Sequence, residues 1–339
     1  MQNQFDIAVV GATGLVGGAL VELLGDAPLP LGQVVLLATE ESAGKRLSVG
    51  GRHIAVRPLA GFDFSEVQIA FFAVPEAVAA EFAPQAAEAG TTVIDCSGAF
   101  VADHEVPLIV PEVNPEMLAD YRERGIIASP SPGAIQLALA LKPLLDVAGL
   151  QHINVTLCEP VSASGREGVD ELARQTARLM NGQGVEPGLY GRQIAFNTLP
   201  LVGDLLTSGA SRAELCLVLE TLRLLGDPAL RINASAMRLP VFFGTALTVQ
   251  LETVHPLDVG EAASLLAQVP ALMQAEEARG YASAIPDAIG DDHVWVSRLR
   301  RDLSREHGLN LSLVTDNLRK GAALNCVQIA QLLIKDHLG

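Results

Sequence analysis

The segment Gly11-Ala12-Thr13-Gly14-Leu15-Val16-Gly17 spaces three glycines by three. It follows the apolar run Ile7-Ala8-Val9-Val10 and precedes Leu20, Val21, Leu23 and Leu24 at helical spacing. Backbone without side chains can approach a pyrophosphate, and the free N–H groups and positive dipole end of a helix start face the anion. Binding of a nucleotide's phosphates is therefore the chemistry expected here. The strand-turn-helix setting separates the motif from a plain glycine-rich turn. The following strand ends in Thr39-Glu40-Glu41-Ser42-Ala43-Gly44-Lys45, where the ribose of an adenosine would lie. Carboxylates there accept from a ribose 2′-OH and repel a 2′-phosphate, which favours NAD over NADP. The alternative is that Glu40 and Glu41 form a solvated turn.

The elements that position these residues follow from the apolar pattern. Short runs at Val34–Ala38, Ile69–Val74 and Thr92–Asp95 alternate with an alanine-rich helical stretch, Glu76–Ala89, that ends at Gly90. Buried strands alternating with helices imply a parallel sheet covered on both faces. After Ser131 the character changes. A helix from Pro132 to about Leu145 is followed by a strand Ile153–Glu159, a bend Ser162-Ala163-Ser164-Gly165 and a helix around Gly168–Met180. Long strand-like stretches Arg231–Val241 and Ala246–Val254 then predict an α+β domain on a mixed sheet, with the Pro/Gly loop 181–192 at its surface. The final segment Arg319–His337 is amphipathic and is expected to pack on the first domain.

A chain of 339 residues is long enough for two cores. Its net charge of −16 argues against a nucleic-acid partner, because such affinity comes from Lys and Arg on phosphates. No apolar run reaches the roughly 18 residues of a membrane span, and Met1–Asp6 lacks the basic region of a signal peptide. A soluble cytoplasmic protein, off the membrane, is expected. Cys96, Cys158, Cys216 and Cys326 form no C-x-x-C pair and suit buried reduced thiols, so no metal site is expected.

Several segments in order along nearly the whole chain resemble the aspartate-semialdehyde dehydrogenase family. They are Gly11–Gly17; Ser42-Ala43-Gly44-Lys45; Phe82-Ala83-Pro84; Ile94-Asp95 with Ser97; Val110-Pro111-Glu112-Val113-Asn114; Ile135-Gln136; Ile194-Ala195-Phe196-Asn197; Arg238 with Pro240-Val241; and Asp316-Asn317 through Asn325. The resemblance implies a Rossmann-like doubly wound parallel sheet plus a central α+β dimerisation domain. The expected domains are 1–130, completed by a C-terminal helix 319–339, and 131–318. The resemblance also puts Gly11, Thr13, Gly14, Leu15, Val16, Gly17, Glu41, Ser42 and Asn317 at the cofactor.

In that family a cysteine thiolate at a helix start attacks the aldehyde, hydride passes to the nicotinamide, and phosphate releases the acyl group. The matching segment here is Ser129-Pro130-Ser131-Pro132-Gly133-Ala134-Ile135-Gln136, so the nucleophile's position holds Pro132. Ser131 is a suitable N-cap and proline suits the first helical position. The family's histidine base corresponds to Thr245, its orienting glutamine to Glu159, a phosphate arginine to Val101 and the 2′-phosphate arginine to Glu41. Arg238, Glu220 and Arg223 match the substrate and phosphate region and leave an anchor for a small carboxylate ligand. The alternative is that these three form an internal ion-pair network supporting the subunit interface. Cys96 and Cys158 are not expected to replace the missing thiol, since neither starts a helix.

The expectation is a homologue without the catalytic Cys and His, similar to the Usg-type paralogues of an enzyme of amino-acid biosynthesis. It would be a homodimer that binds an NAD-type nucleotide or associates with another protein. Two rivals stand beside it. One is an NAD(H)-dependent oxidoreductase acting on a small carboxylate-bearing carbonyl compound without a thioester. The other is a regulatory subunit of an active dehydrogenase.

Overall fold

The computed structural model describes residues 4–275 and 280–338. The chain divides into two compact units, Met1–Ser131 with Ala322–Gly339, and Pro132–Gly321.

The first unit runs β1 (Phe5–Val10), α1 (Leu15–Asp26), β2 (Leu31–Ala38), β3 (Arg46–Val49), β4 (Arg52–Pro58), β5 (Ile69–Phe72), α2 (Glu76–Glu88), β6 (Thr92–Asp95) and β7 (Ile126–Ala128). These seven strands form one sheet in the order β3-β4-β2-β1-β5-β6-β7. All neighbours are parallel except the β3–β4 pair. Ile7, Ala8, Val9 and Val10 are wholly buried, as a central strand covered on both faces must be. The hairpin at the edge, Arg46–Pro58, has no counterpart in the sequence reading: its strands are short and mostly exposed, so their apolar alternation is faint.

The second unit continues with α3 (Pro132–Ala148), β8 (Leu150–Glu159), α4 (Gly165–Met180), α5 (Arg212–Leu225), β9 (Arg231–Arg238), β10 (Thr245–Thr253), α6 (Val259–Ala267), β11 (Leu272–Gln274), β12 (Val294–Arg301) and β13 (Gly308–Thr315). Its mixed sheet has the order β11-β12-β13-β10-β8-β9. The strand predicted to reach Val241 stops at Arg238, because the chain turns at Leu239-Pro240, where proline cannot continue the ladder. Helix α3 is buried on every side from Gly133 to Leu141, packing against α5 and β10. A helix apolar all round belongs in such a place.

The last helix, α7 (Leu324–Leu333), joins the first unit. Its Cys326, Val327, Ile329, Ala330 and Leu333 share one core with Leu20 and Leu24 of α1 and with Ile7 and Val9 of β1. Burial of each large apolar side chain contributes about 1.5–3 kcal/mol, which is how the segment from Ala322 onward holds to that sheet, while 319–321, expected with it, belong to the second unit. Among the described residues no helix is long and apolar enough to cross a membrane.

Candidate functional site

In the first unit the glycine turn is forced by its neighbours. Gly11 has φ +86°, and a Cβ on it would lie 2.2 Å from the carbonyl oxygen of Ala73. A Cβ on Gly17 would lie 2.0 Å from the carbonyl oxygen of Gly11. Gly11 therefore packs against the residue that follows β5 and Gly17 against Gly11, with no room for a side chain at either position. Gly14 caps α1 without a side-chain hydrogen bond, and the first turn of the helix carries no acidic residue. The orphan N–H groups of a helix start are thus left to an anion.

Thr13 donates from Oγ1 to Ser42 Oγ at 3.4 Å, and Lys45 donates from Nζ to the same oxygen at 3.3 Å. Ser42, which is buried, links the glycine turn to the turn after β2, where Glu40 and Glu41 are exposed. The sequence reading named both turns but not this link.

Asp95 ends β6 and is buried. It accepts from Ser97 N at 3.1 Å and from Ser97 Oγ at 3.0 Å. Burial raises its carboxyl to about 6, with the Ser97 and Gly98 bonds opposing that rise. Cys96, beside it, donates to the carbonyl of Phe72 at 3.1 Å. Hydrogen bonding with Cys326, and then burial, push the Cys96 thiol upward. The four cysteines are free, and only Cys326 is fully buried. The expectation of four buried thiols is corrected to that extent: Cys158 and Cys216 sit on a strand and a helix that keep one side open.

In the second unit Pro132 is the first residue of α3. A Cβ on Gly321 would fall 2.7 Å from the Cβ of Pro132, so the proline ring fills the space beside that glycine. Gln136, fully buried one turn later, donates from Nε2 to the carbonyl of Thr245 at 3.4 Å, and its Oε1 has no partner among the described residues. Thr245 is itself 1% exposed.

Glu159 and Arg238 end neighbouring parallel strands in register. Glu159 Oε2 stands 2.8 Å from Arg238 Nη1, which also donates to the carbonyl of Pro160 at 2.7 Å. The guanidinium carbon lies 5.8 Å from the centroid of the Tyr190 ring. Burial raises the Glu159 carboxyl, and the Arg238 charge and hydrogen bond pull the other way. The pairing was not legible locally: the strand through Arg238 was expected to run on to Val241, and the level ends emerge only with the strand order. Glu220 and Arg223 lie on α5, which packs against β9; Glu220 is buried. Burial alone raises the Cys158 thiol.

Asn317, expected at the cofactor, is 3% exposed. Its Oδ1 accepts from Gly244 N at 2.8 Å and its Nδ2 donates to Ser162 Oγ at 3.1 Å. It ties the loop before β10 to the bend after β8. Val101 follows Phe100 and is half-buried. No group of three or more His, Cys, Asp or Glu among the described residues has the arrangement of a metal site.

Residues 6–121 match the family model for the semialdehyde dehydrogenase NAD binding domain, and residues 141–320 match that for the semialdehyde dehydrogenase dimerisation domain. The chain is 43% identical over 339 residues to aspartate-semialdehyde dehydrogenase 2 of Vibrio cholerae, covering 99% of this chain and 100% of that one. It is 42% identical over 335 residues to a USG-1 protein homolog of Azotobacter vinelandii, covering 99% of each. The crystal structure of aspartate semialdehyde dehydrogenase II complexed with ASA from V. cholerae matches with a TM-score of 0.96 at 42% identity, over 99% of each chain. These likenesses define the class: a two-domain α/β fold of an oxidoreductase family, with a Rossmann-like nicotinamide-nucleotide domain and a dimerisation domain. Within that class the chain belongs to the aspartate-semialdehyde dehydrogenase family, whose relatives include chains named USG-1 protein homolog.

Proposed function

We propose that this chain is a non-catalytic member of its family, a homodimer that holds an NAD-type nucleotide or a protein partner and performs no thioester chemistry. The observation that carries this reading is Pro132 at the first position of α3, packed beside Gly321. Covalent aldehyde oxidation needs a thiolate there, made acidic by the helix start. Proline offers no nucleophile and no N–H. Thr245, at the position assigned to the base by resemblance, is a buried hydroxyl that cannot take a proton near neutral pH. Hydrogen bonding with Cys326 and burial push the Cys96 thiol up, and burial pushes up that of Cys158, which disfavours either as the missing nucleophile.

The glycine turn fits the pyrophosphate of a nicotinamide nucleotide, because Gly11 and Gly17 admit backbone where side chains would clash. Bound there, such a cofactor supplies a hydride acceptor or donor. Leu15, Val16 and Gly17 would present N–H groups to its phosphates, with Thr13 and Ser42 beside them. NAD is favoured over NADP by Glu40 and Glu41, two exposed carboxylates against the single charge of Lys45. Exposed apolar residues Leu215 and Leu219, one turn apart on α5, with Leu205 and Phe242, support association through this unit.

The test is calorimetric titration with NAD, NADH and NADP in turn, beside an assay of aspartate-semialdehyde oxidation with each nucleotide. Micromolar binding of NAD or NADH, weaker NADP and no turnover are expected. Semialdehyde oxidation at a rate typical of enzymes, about 1–10³ per second, would overturn the reading.

A further inference from the structure

Arg238 lines a cavity of about 490 Å³ together with Tyr190, Arg192, Ser164, Asp204 and Leu199. A guanidinium at a cavity wall is ordinarily a fork for a carboxylate or phosphate. Here the side chain is only 8% exposed and already has a carboxylate, Glu159 Oε2, at 2.8 Å. The same Nη1 donates to Pro160 O at 2.7 Å, and the Tyr190 ring lies 5.8 Å from the guanidinium carbon. Three elements thus fix the arginine: the end of β8, the turn that follows it, and the loop that carries Tyr190.

That loop is itself held. Gly188 N donates to Glu171 Oε1 at 2.9 Å, and Ile194 N and Ala195 N donate to Gln175 Oε1 at 2.9 and 3.1 Å. Tyr190 is therefore not free to withdraw from the guanidinium. An outside carboxylate would have to displace a partner carried on the adjacent strand, always at hand. It would also feel the Glu159 charge, which stands 2.8 Å from the same guanidinium, and like charges repel.

We infer that Glu159 acts as a built-in carboxylate that closes Arg238 to carboxylate ligands, leaving the cavity to ligands that are uncharged where they meet the guanidinium. The specificity of this wall is set by Glu159 rather than by the arginine. The inference concerns Arg238 alone and does not depend on the loss of thiolate chemistry: its failure would leave Pro132 where it is.

The experiment uses the full chain labelled with ¹⁵N-arginine, with succinate as the carboxylate probe and succinamide as its uncharged counterpart. The Arg238 Nε–H resonance, assigned by its loss in Arg238→Lys, reports at the site itself. In the wild type this resonance is expected to show no saturable shift with succinate. In Glu159→Gln it is expected to shift saturably, with succinate bound roughly tenfold or more tightly than by the wild type and in preference to succinamide. Saturable binding of succinate at Arg238 in the wild type would overturn the inference, as would a Glu159→Gln protein that binds succinate no better than the wild type. Glu159→Ala carries the same expectations where Glu159→Gln does not fold, and the wild-type titration decides by itself whatever the variants do.

Discussion

Pro132 and Gly321 share a space that holds one side chain: a Cβ on Gly321 would fall 2.7 Å from the proline Cβ. The start of α3 is thereby filled on the side of Gly321, while Pro132 itself is half-buried. Replacing Pro132 by Cys and Thr245 by His puts both missing side-chain types back, yet Glu159 and Val101 still stand where resemblance puts a glutamine and an arginine. Semialdehyde oxidation by this double variant is expected to stay at least about 10²-fold below an active relative, since one misplaced acid–base group alone costs that much. A phosphate-dependent assay of nucleotide reduction reads the result.

Two glycines of α1 separate close packing from empty space. At Gly17 an added Cβ meets backbone at 2.0 Å, while at Gly18 it meets nothing within 4 Å. Gly17→Ala is expected to lose about 1–3 kcal/mol of stability and most nucleotide affinity. Gly18→Ala should gain about 0.5–1 kcal/mol from helix propensity and leave affinity unchanged. Thermal melts beside calorimetric titrations distinguish the two.

Asp95 makes stability depend on pH in a direction opposite to most carboxylates. Burial raises its folded value from 3.8 to about 6, so the folded state prefers the protonated acid. Its stabilising contribution is complete below pH 3.8 and is lost as pH rises through about 6. Asp95→Asn removes that loss. Urea unfolding of variant and wild type should show a difference that grows in the variant's favour by up to about 3 kcal/mol between pH 4 and pH 7. A difference flat with pH would refute it.

Gln175 holds the loop ahead of α5 through one oxygen. Its Oε1 accepts from Ile194 N at 2.9 Å and Ala195 N at 3.1 Å, all three residues being buried. Gln175→Leu strands two buried N–H groups, each worth about 1–3 kcal/mol when left unmade. Faster amide exchange at Ile194 and Ala195, with a lower melting temperature, is the expected outcome.

Much of this was legible in the residues themselves. Glycine spacing after an apolar strand marks a phosphate turn because few other backbones tolerate three such positions, and Gly11 and Gly17 proved sterically bound. The helical periodicity of 319–337 was enough to send α7 to the first unit. What stayed hidden depends on strand order. Glu159 and Arg238 are far apart in sequence, and nothing local says that β8 and β9 are parallel neighbours ending level. The raised pKa of Asp95 is equally nonlocal, since it comes from how completely surrounding elements exclude water. The Arg46–Pro58 hairpin escaped because exposed edge strands carry little apolar signal.

The Glu159–Arg238 pair also constrains how this chain can change over generations. Removing either member alone leaves the other charge largely desolvated and without its partner, a loss of up to about 3–5 kcal/mol out of an ordinary domain's roughly 5–15 kcal/mol. The two positions are thereby locked into joint inheritance by folding itself. An arginine that persists in descendants of this chain will then record a debt to its neighbouring strand, and its presence there ceases to testify to any molecule bound.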